Sequence, residues 1–155
     1  MGLVTKGEFR PWCGGSIITK LHILTAAHCV FSRNTNTAMY AAEVEVLVGE
    51  HDTSDTVANR HSVSTITNHP QFDIVKKEYD FSILTLTRPL TFSMVVSPIC
   101  LPSNTASDFS GQLATVTGWG NTAEQGAPAS TLQEVQVEVL SNAACSQSHG
   151  SQIQG

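Results

Sequence analysis

Charge is scarce in this 155-residue chain. Charged residues make up only 14%, and Lys plus Arg number 8 against 13 Asp plus Glu, a formal net charge of −5. So small a basic complement excludes the cationic surface that nucleic acid or an anionic membrane would need in a partner. No apolar run approaches about 18 residues, so no bilayer-spanning helix is expected. The opening stretch MGLVTKGEFRPW lacks an apolar h-region and a small-residue cleavage site, and no signal peptide is expected in the chain as written. The sequence also has no Cys-x-x-Cys pair and no Asn-x-Ser/Thr glycosylation acceptor. Long segments of helical period are missing as well.

What the chain does have is alternation. Glu43 to Val48, His61 to Thr67 and Gln133 to Val139 alternate apolar and polar residues with many valines, the pattern of half-buried strands. Gly14 to Thr19, His22 to Thr25, Phe81 to Leu86 and Gln112 to Thr117 are further strand candidates. Turn-forming residues separate them at Ser32 to Thr37, Asp52 to Asn59, Ser103 to Ser110 and Asn121 to Ser130. Helix is expected only as about a turn at Ala26 to Val30 and over Asn142 to Ser146, where Ser141 can cap. With 41% hydrophobic residues this is an ordinary core-forming chain, all-β, a sandwich or barrel. The polar stretch 103–110 reads as a linker between two sub-structures.

The chemistry gathers at Leu24-Thr25-Ala26-Ala27-His28-Cys29. His28 can be read as a core histidine, as part of a metal site with His22, Cys13 and Cys29, or as a general base. The spacing matches no zinc pattern. The low-charge, hydroxyl-rich composition suits a secreted protein, in which neighbouring cysteines usually pair. No metal and no cofactor are expected. Asp80 opens an apolar strand, where a carboxylate needs a partner. The four cysteines, Cys13, Cys29, Cys100 and Cys145, allow three pairings that spacing alone does not resolve.

The local words go further. Cys13-Gly14-Gly15-Ser16-Ile17-Ile18, the Leu24–Cys29 stretch, Tyr79-Asp80-Phe81-Ser82-Ile83-Leu84-Thr85-Leu86, Pro98-Ile99-Cys100-Leu101-Pro102 and Thr117-Gly118-Trp119-Gly120 occur in this order. Together they resemble the chymotrypsin/trypsin-like serine protease family along nearly the whole chain. The resemblance implies a trypsin-like double β-barrel, with a nearly complete first barrel over about 1–102, a linker at 103–110 and the start of a second, truncated barrel over 111–155. It implies a secreted serine-type endopeptidase acting on protein or peptide substrates. His28 would be the general base and Asp80 its orienting carboxylate, 52 positions away. Cys13 would pair with Cys29 and staple the turn that presents His28, with the small Ala26 and Ala27 letting that turn pack closely. Ser16 would be a structural strand residue.

Some family parts are missing from the 155 residues. The Gly-Asp-Ser-Gly-Gly motif that carries the nucleophile does not occur, nor does the Ile-Val-Gly-Gly activation sequence. The chain alone is therefore expected to be inactive, a fragment of a protease. By the same resemblance Cys100 would tether a pro-segment lying before Met1, as in clip-type and clotting-type proteases, and Cys145 would pair beyond Gly155. A direct Cys100–Cys145 bridge is the alternative. Glu50-His51-Asp52 resembles the start of the family's calcium loop, but Arg60 stands near the closing carboxylate, so calcium is not expected. His22, His51, His61, His69 and His149 are left as surface or structural residues. Two other classes of function stay open: a non-catalytic homologue acting as a binding module or cofactor, and a short interaction protein in its own right.

Overall fold

The computed structural model describes residues 1–7, 11–32, 35, 37–54, 59–103 and 108–149, and of His149 the backbone only. Parts of the expected turns at Ser32 to Thr37 and Asp52 to Asn59, the middle of the 103–110 linker, and Gly150 to Gly155 lie outside the described residues. The chain forms two compact units, Met1–Cys100 and Leu101–Gly155.

The first unit is built on a seven-stranded antiparallel sheet. In chain order its strands are β1 (Gly2–Thr5), β2 (Cys13–Gly14), β3 (Ser16–Ile17), β4 (His22–Thr25), β7 (Val44–Leu47), β8 (Arg60–Asn68) and β9 (Ser82–Leu86). A small separate ribbon, β5 (Phe31–Ser32) with β6 (Thr37–Ala38), branches from it. The sheet order is β2-β1-β7-β8-β9-β4-β3. Its two outer strands are consecutive in sequence, so the sheet returns on itself as a nearly closed barrel. The Thr25 hydroxyl donates to the Gly14 carbonyl at 2.8 Å, tying β4 to β2 across the seam. Gly15 stands between β2 and β3 because a Cβ there would meet the Leu24 carbonyl at 2.8 Å. The expected single strand from Gly14 to Thr19 is thus two short strands divided at that close approach.

Alternation fills the barrel. In β9, Ser82, Leu84 and Leu86 point inward, and in β4 Ile23 and Thr25 do so. Leu3, Ile23, Val30, Val44, Val46, Val63 and Leu84 lead the buried core. Each such side chain contributes roughly 1.5–3 kcal/mol relative to exposure. The buried Ser82 hydroxyl is satisfied by the Thr67 carbonyl at 3.1 Å. Strand β1 escaped the sequence reading because Gly2, Leu3 and Val4 are all buried, leaving no alternation to read.

The second unit has a hairpin, β10 (Leu113–Gly118) paired with β11 (Gln133–Glu138), and one helix, α1 (Asn142–His149). The Ser141 hydroxyl accepts the Ala144 N–H at 3.2 Å and caps the helix. Every buried hydrophobic residue of the described chain lies between Leu3 and Val96, and none in this unit. Among the described residues, no helix is long and apolar enough to cross a membrane.

Candidate active site

Strand β4 leaves the core at Thr25, Ala26 stays extended, and Ala27–Val30 form one 3₁₀ turn. Ala27 is fully buried, so the turn sits directly on the barrel wall. A Cys13–Cys29 disulfide, with Cα atoms 6.1 Å apart, fixes its far side. The Trp12 indole N–H donates to the Cys29 carbonyl at 2.8 Å and covers the same end. Held by these contacts, the turn leaves the His28 side chain 41% exposed.

The register brings Asp80 to that ring. β4 and β9 pair antiparallel with Thr25 opposite Ser82, so a residue just before β9 meets a residue just after β4. One Asp80 oxygen accepts the His28 backbone N–H at 2.8 Å. The other lies 2.6 Å from His28 Nδ1. Partial burial opposes ionisation of Asp80, but the two hydrogen bonds from His28, the charge of a protonated His28 and the Lys77 ammonium outweigh it and hold the carboxyl below its usual range. An ionised Asp80 accepts only, so Nδ1 carries the proton and Nε2 presents its lone pair. Nε2 is 3.6 Å from Cys29 Sγ, and a disulfide sulfur has no proton to give it. The arrangement can therefore take a proton at Nε2 while the carboxylate stabilises the resulting imidazolium.

Asp80 itself sits at a sharp corner. The Phe81 N–H donates to the Tyr79 carbonyl at 2.8 Å, a three-residue turn centred on Asp80. Lys77 and Tyr79 are left-handed, with φ of 61° and 51°, each costing about 1 kcal/mol or more for a residue with a Cβ. Asp73 holds the approach to this corner, its carboxylate accepting the Val75 and Lys76 N–H groups at 2.8 and 3.0 Å. The sequence reading missed Trp12, Asp73 and the strained residues. An Asp three residues ahead of the polar Lys76-Lys77-Glu78 run is a readable turn signal, whereas a positive φ on lysine or tyrosine leaves no mark in sequence.

Cys13, His28 and Cys29 place their ligand atoms within 4.8 Å of one another. The disulfide uses both sulfurs, so this cluster offers no thiolates to a metal. Cys100 is an exposed free thiol and Cys145 a half-buried one. Ser16 lies in β3. Arg60 donates to Glu45 at 2.8 Å, while Glu50 accepts the Asn59 N–H at 2.9 Å. His22 shares a hydrogen bond with the Thr19 hydroxyl, and His61 with Asn59. His51 is exposed, and the His149 side chain lies outside the described residues.

A nearly closed antiparallel barrel that delivers a histidine and an aspartate to one rim, beside a disulfide, defines the chymotrypsin-like class of β-barrel proteins. The chain belongs to the trypsin family, whose family model, Trypsin, matches residues 1–155. It is 37% identical over 149 residues to serine protease filzig of Drosophila melanogaster, covering 94% of this chain and 8% of that protein. Serine proteinase stubble of the same fly is 39% identical over 137 residues, covering 86% and 16%. Venom serine protease 34 of Apis mellifera is 34% identical over 156 residues, covering 94% and 37%. The chain spans well under half the length of each of these relatives.

Proposed function

We propose that this chain is the base-bearing part of a secreted trypsin-like serine endopeptidase, with His28 as general base and Asp80 as its orienting partner. The observation that carries the reading is the two-point hold of His28 by Asp80, on a ring whose side chain is 41% exposed. In the family's general mechanism, Nε2 takes the proton of a serine hydroxyl as that oxygen attacks a peptide carbonyl, then returns it to the leaving amine. Asp80 keeps the ring in one tautomer and offsets the charge of the imidazolium. The disulfide supports a secreted setting. Exposed Cys100 is the attachment point for a pro-segment, and the hairpin and helix of residues 111–155 are the opening of a second barrel.

The 155 residues lack the nucleophile motif, so the isolated chain is inactive. Loss of the serine alone costs about 10⁶-fold in kcat in a comparable triad. The test is to sequence the transcript through and past the codon for Gly155, then express the whole reading frame. A continuation into Gly-Asp-Ser-Gly-Gly should give a protein labelled by a fluorophosphonate. His28→Ala should then lower kcat about 10⁶-fold, and Asp80→Asn about 10⁴-fold. A different residue in place of that serine would make the parent a non-catalytic homologue. Fluorophosphonate-sensitive proteolysis by residues 1–155 alone would refute the inactivity.

A further inference from the structure

The fold leaves His69 without a part in the barrel core or in the His28–Asp80 pair, yet its contacts converge on Asp80. Its ring stacks on Tyr79 with centroids 4.8 Å apart and planes 12° apart. The same ring meets Phe81 at 4.7 Å. Tyr79 and Phe81 are the residues on either side of Asp80, and they are also the two ends of the turn that Asp80 centres. The His69 backbone N–H donates to the Phe81 carbonyl at 3.1 Å, extending the β8–β9 ladder to the foot of that turn. The ring is fixed in its turn, since its Nδ1 accepts the Gln71 N–H at 3.2 Å.

Neither aromatic partner belongs to the core. Tyr79 is 48% exposed and Phe81 45% exposed. Their shared contact with His69 therefore does little to fill the barrel, whereas it fixes both peptide units that flank the carboxylate. Tyr79 is also held at a φ of 51°, a conformation that relaxes unless something over-determines it. Aromatic rings at this separation attract one another beyond the area they bury.

We infer that His69 is a positioning residue: by clamping Tyr79 and Phe81 together it holds the turn that aims the Asp80 carboxylate at His28. This deepens the proposed catalytic role of the pair and rests on it. A carboxylate that must meet both the backbone N–H and Nδ1 of one residue tolerates little rotation of its own backbone.

The test uses the 155-residue chain and needs no proteolysis. With ¹⁵N-labelled histidine, the unsubstituted chain should show a protonated, slowly exchanging Nδ1 in the His28 ring. Carboxyl ¹³C titration should place Asp80 below the usual carboxylate range. His69→Ala should abolish the Nδ1–H signal and move the Asp80 titration upward. His69→Phe, which keeps a ring between Tyr79 and Phe81, should restore both. Val63→Ala opens a hole beneath β8 far from the turn, and it should lower thermal stability while leaving both signals in place. The inference falls if His69→Ala leaves both signals unchanged, if His69→Phe fails to restore them, or if Val63→Ala removes them equally. Absence of the Nδ1–H signal from the unsubstituted chain would instead overturn the His28–Asp80 pairing itself, and the inference with it.

Discussion

Asp80 and His61 give the molecule two separate acid sensitivities. Asp80 is held below its ordinary value of 3.8 because its bonds from His28 outweigh the burial that opposes them. A carboxyl with a lowered native pKa contributes stability that is fully present above its unfolded value and lost as pH falls through the native one. His61 is lowered from 6.5 by burial, which disfavours the imidazolium. Its cost therefore begins as pH falls below that unfolded value, because the unfolded chain binds the proton more readily. Urea midpoints measured across pH should fall in two stages, one below about 6.5 and one below about 3.8. Asp80→Asn should diminish the lower stage, which Asp52, Asp73 and Asp108 share through carboxyls likewise held below their usual range by hydrogen bonds, and His61→Gln should diminish the upper stage. The placement of His28 and Asp80 alone left a core histidine, a metal ligand and a general base open, and only the ordered motifs around them, through their resemblance to a family, pointed to the pair that the structure brings together. Trp12 and His69 were not legible, since their roles come from contacts that exist only once the barrel has formed.

The 3₁₀ turn over Ala27–Val30 depends on a cross-link and on a small side chain. The Cys13–Cys29 bridge joins residues separated by 16 positions and is worth about 3 kcal/mol by restriction of the unfolded chain. Replacing both cysteines by serine should lower unfolding stability by about that amount, read from denaturant melts without reductant. Ala27 has no exposed surface, so Ala27→Leu should cost about 1–3 kcal/mol through overpacking. That variant should also displace the His28 ring, seen as loss of its Nδ1–H signal. Among the elements, the alternating strands β7, β8 and β11 and the further candidate β9 were readable from sequence with ends off by a residue, but β11 is exposed along its whole length rather than half-buried, because no described layer covers either face. The helix α1 starts at the expected Asn142 but runs on to His149 rather than Ser146, because nothing in Gln147-Ser148 opposes a further turn. The pairs β5 and β6 were unreadable, as two residues cannot display a period.

At the scale of the whole molecule, the two units are unequal in what they bury. The first holds the entire buried core of the described residues, while the hairpin of the second exposes Leu113, Val116, Val135 and Val137. Residues 1–100 alone should unfold in a single transition and retain the His28 Nδ1–H signal. The full chain should self-associate in sedimentation velocity, since exposed apolar strands with open edges pair readily. Val116 and Val135 face each other across the hairpin, so Val116→Lys with Val135→Glu should reduce that association while keeping the pair compatible. The closure of the sheet on itself has a consequence in time. Strand β9 must find β4 and β8 before the seam can form, so His28 and Asp80 meet only after the slowest, most non-local pairing of the barrel is complete. Every strand of that barrel precedes Leu101. On a ribosome adding about 5–20 residues per second, the barrel can close while later residues are still being added. The contact between His28 and Asp80 would then be in place while the chain is still being made.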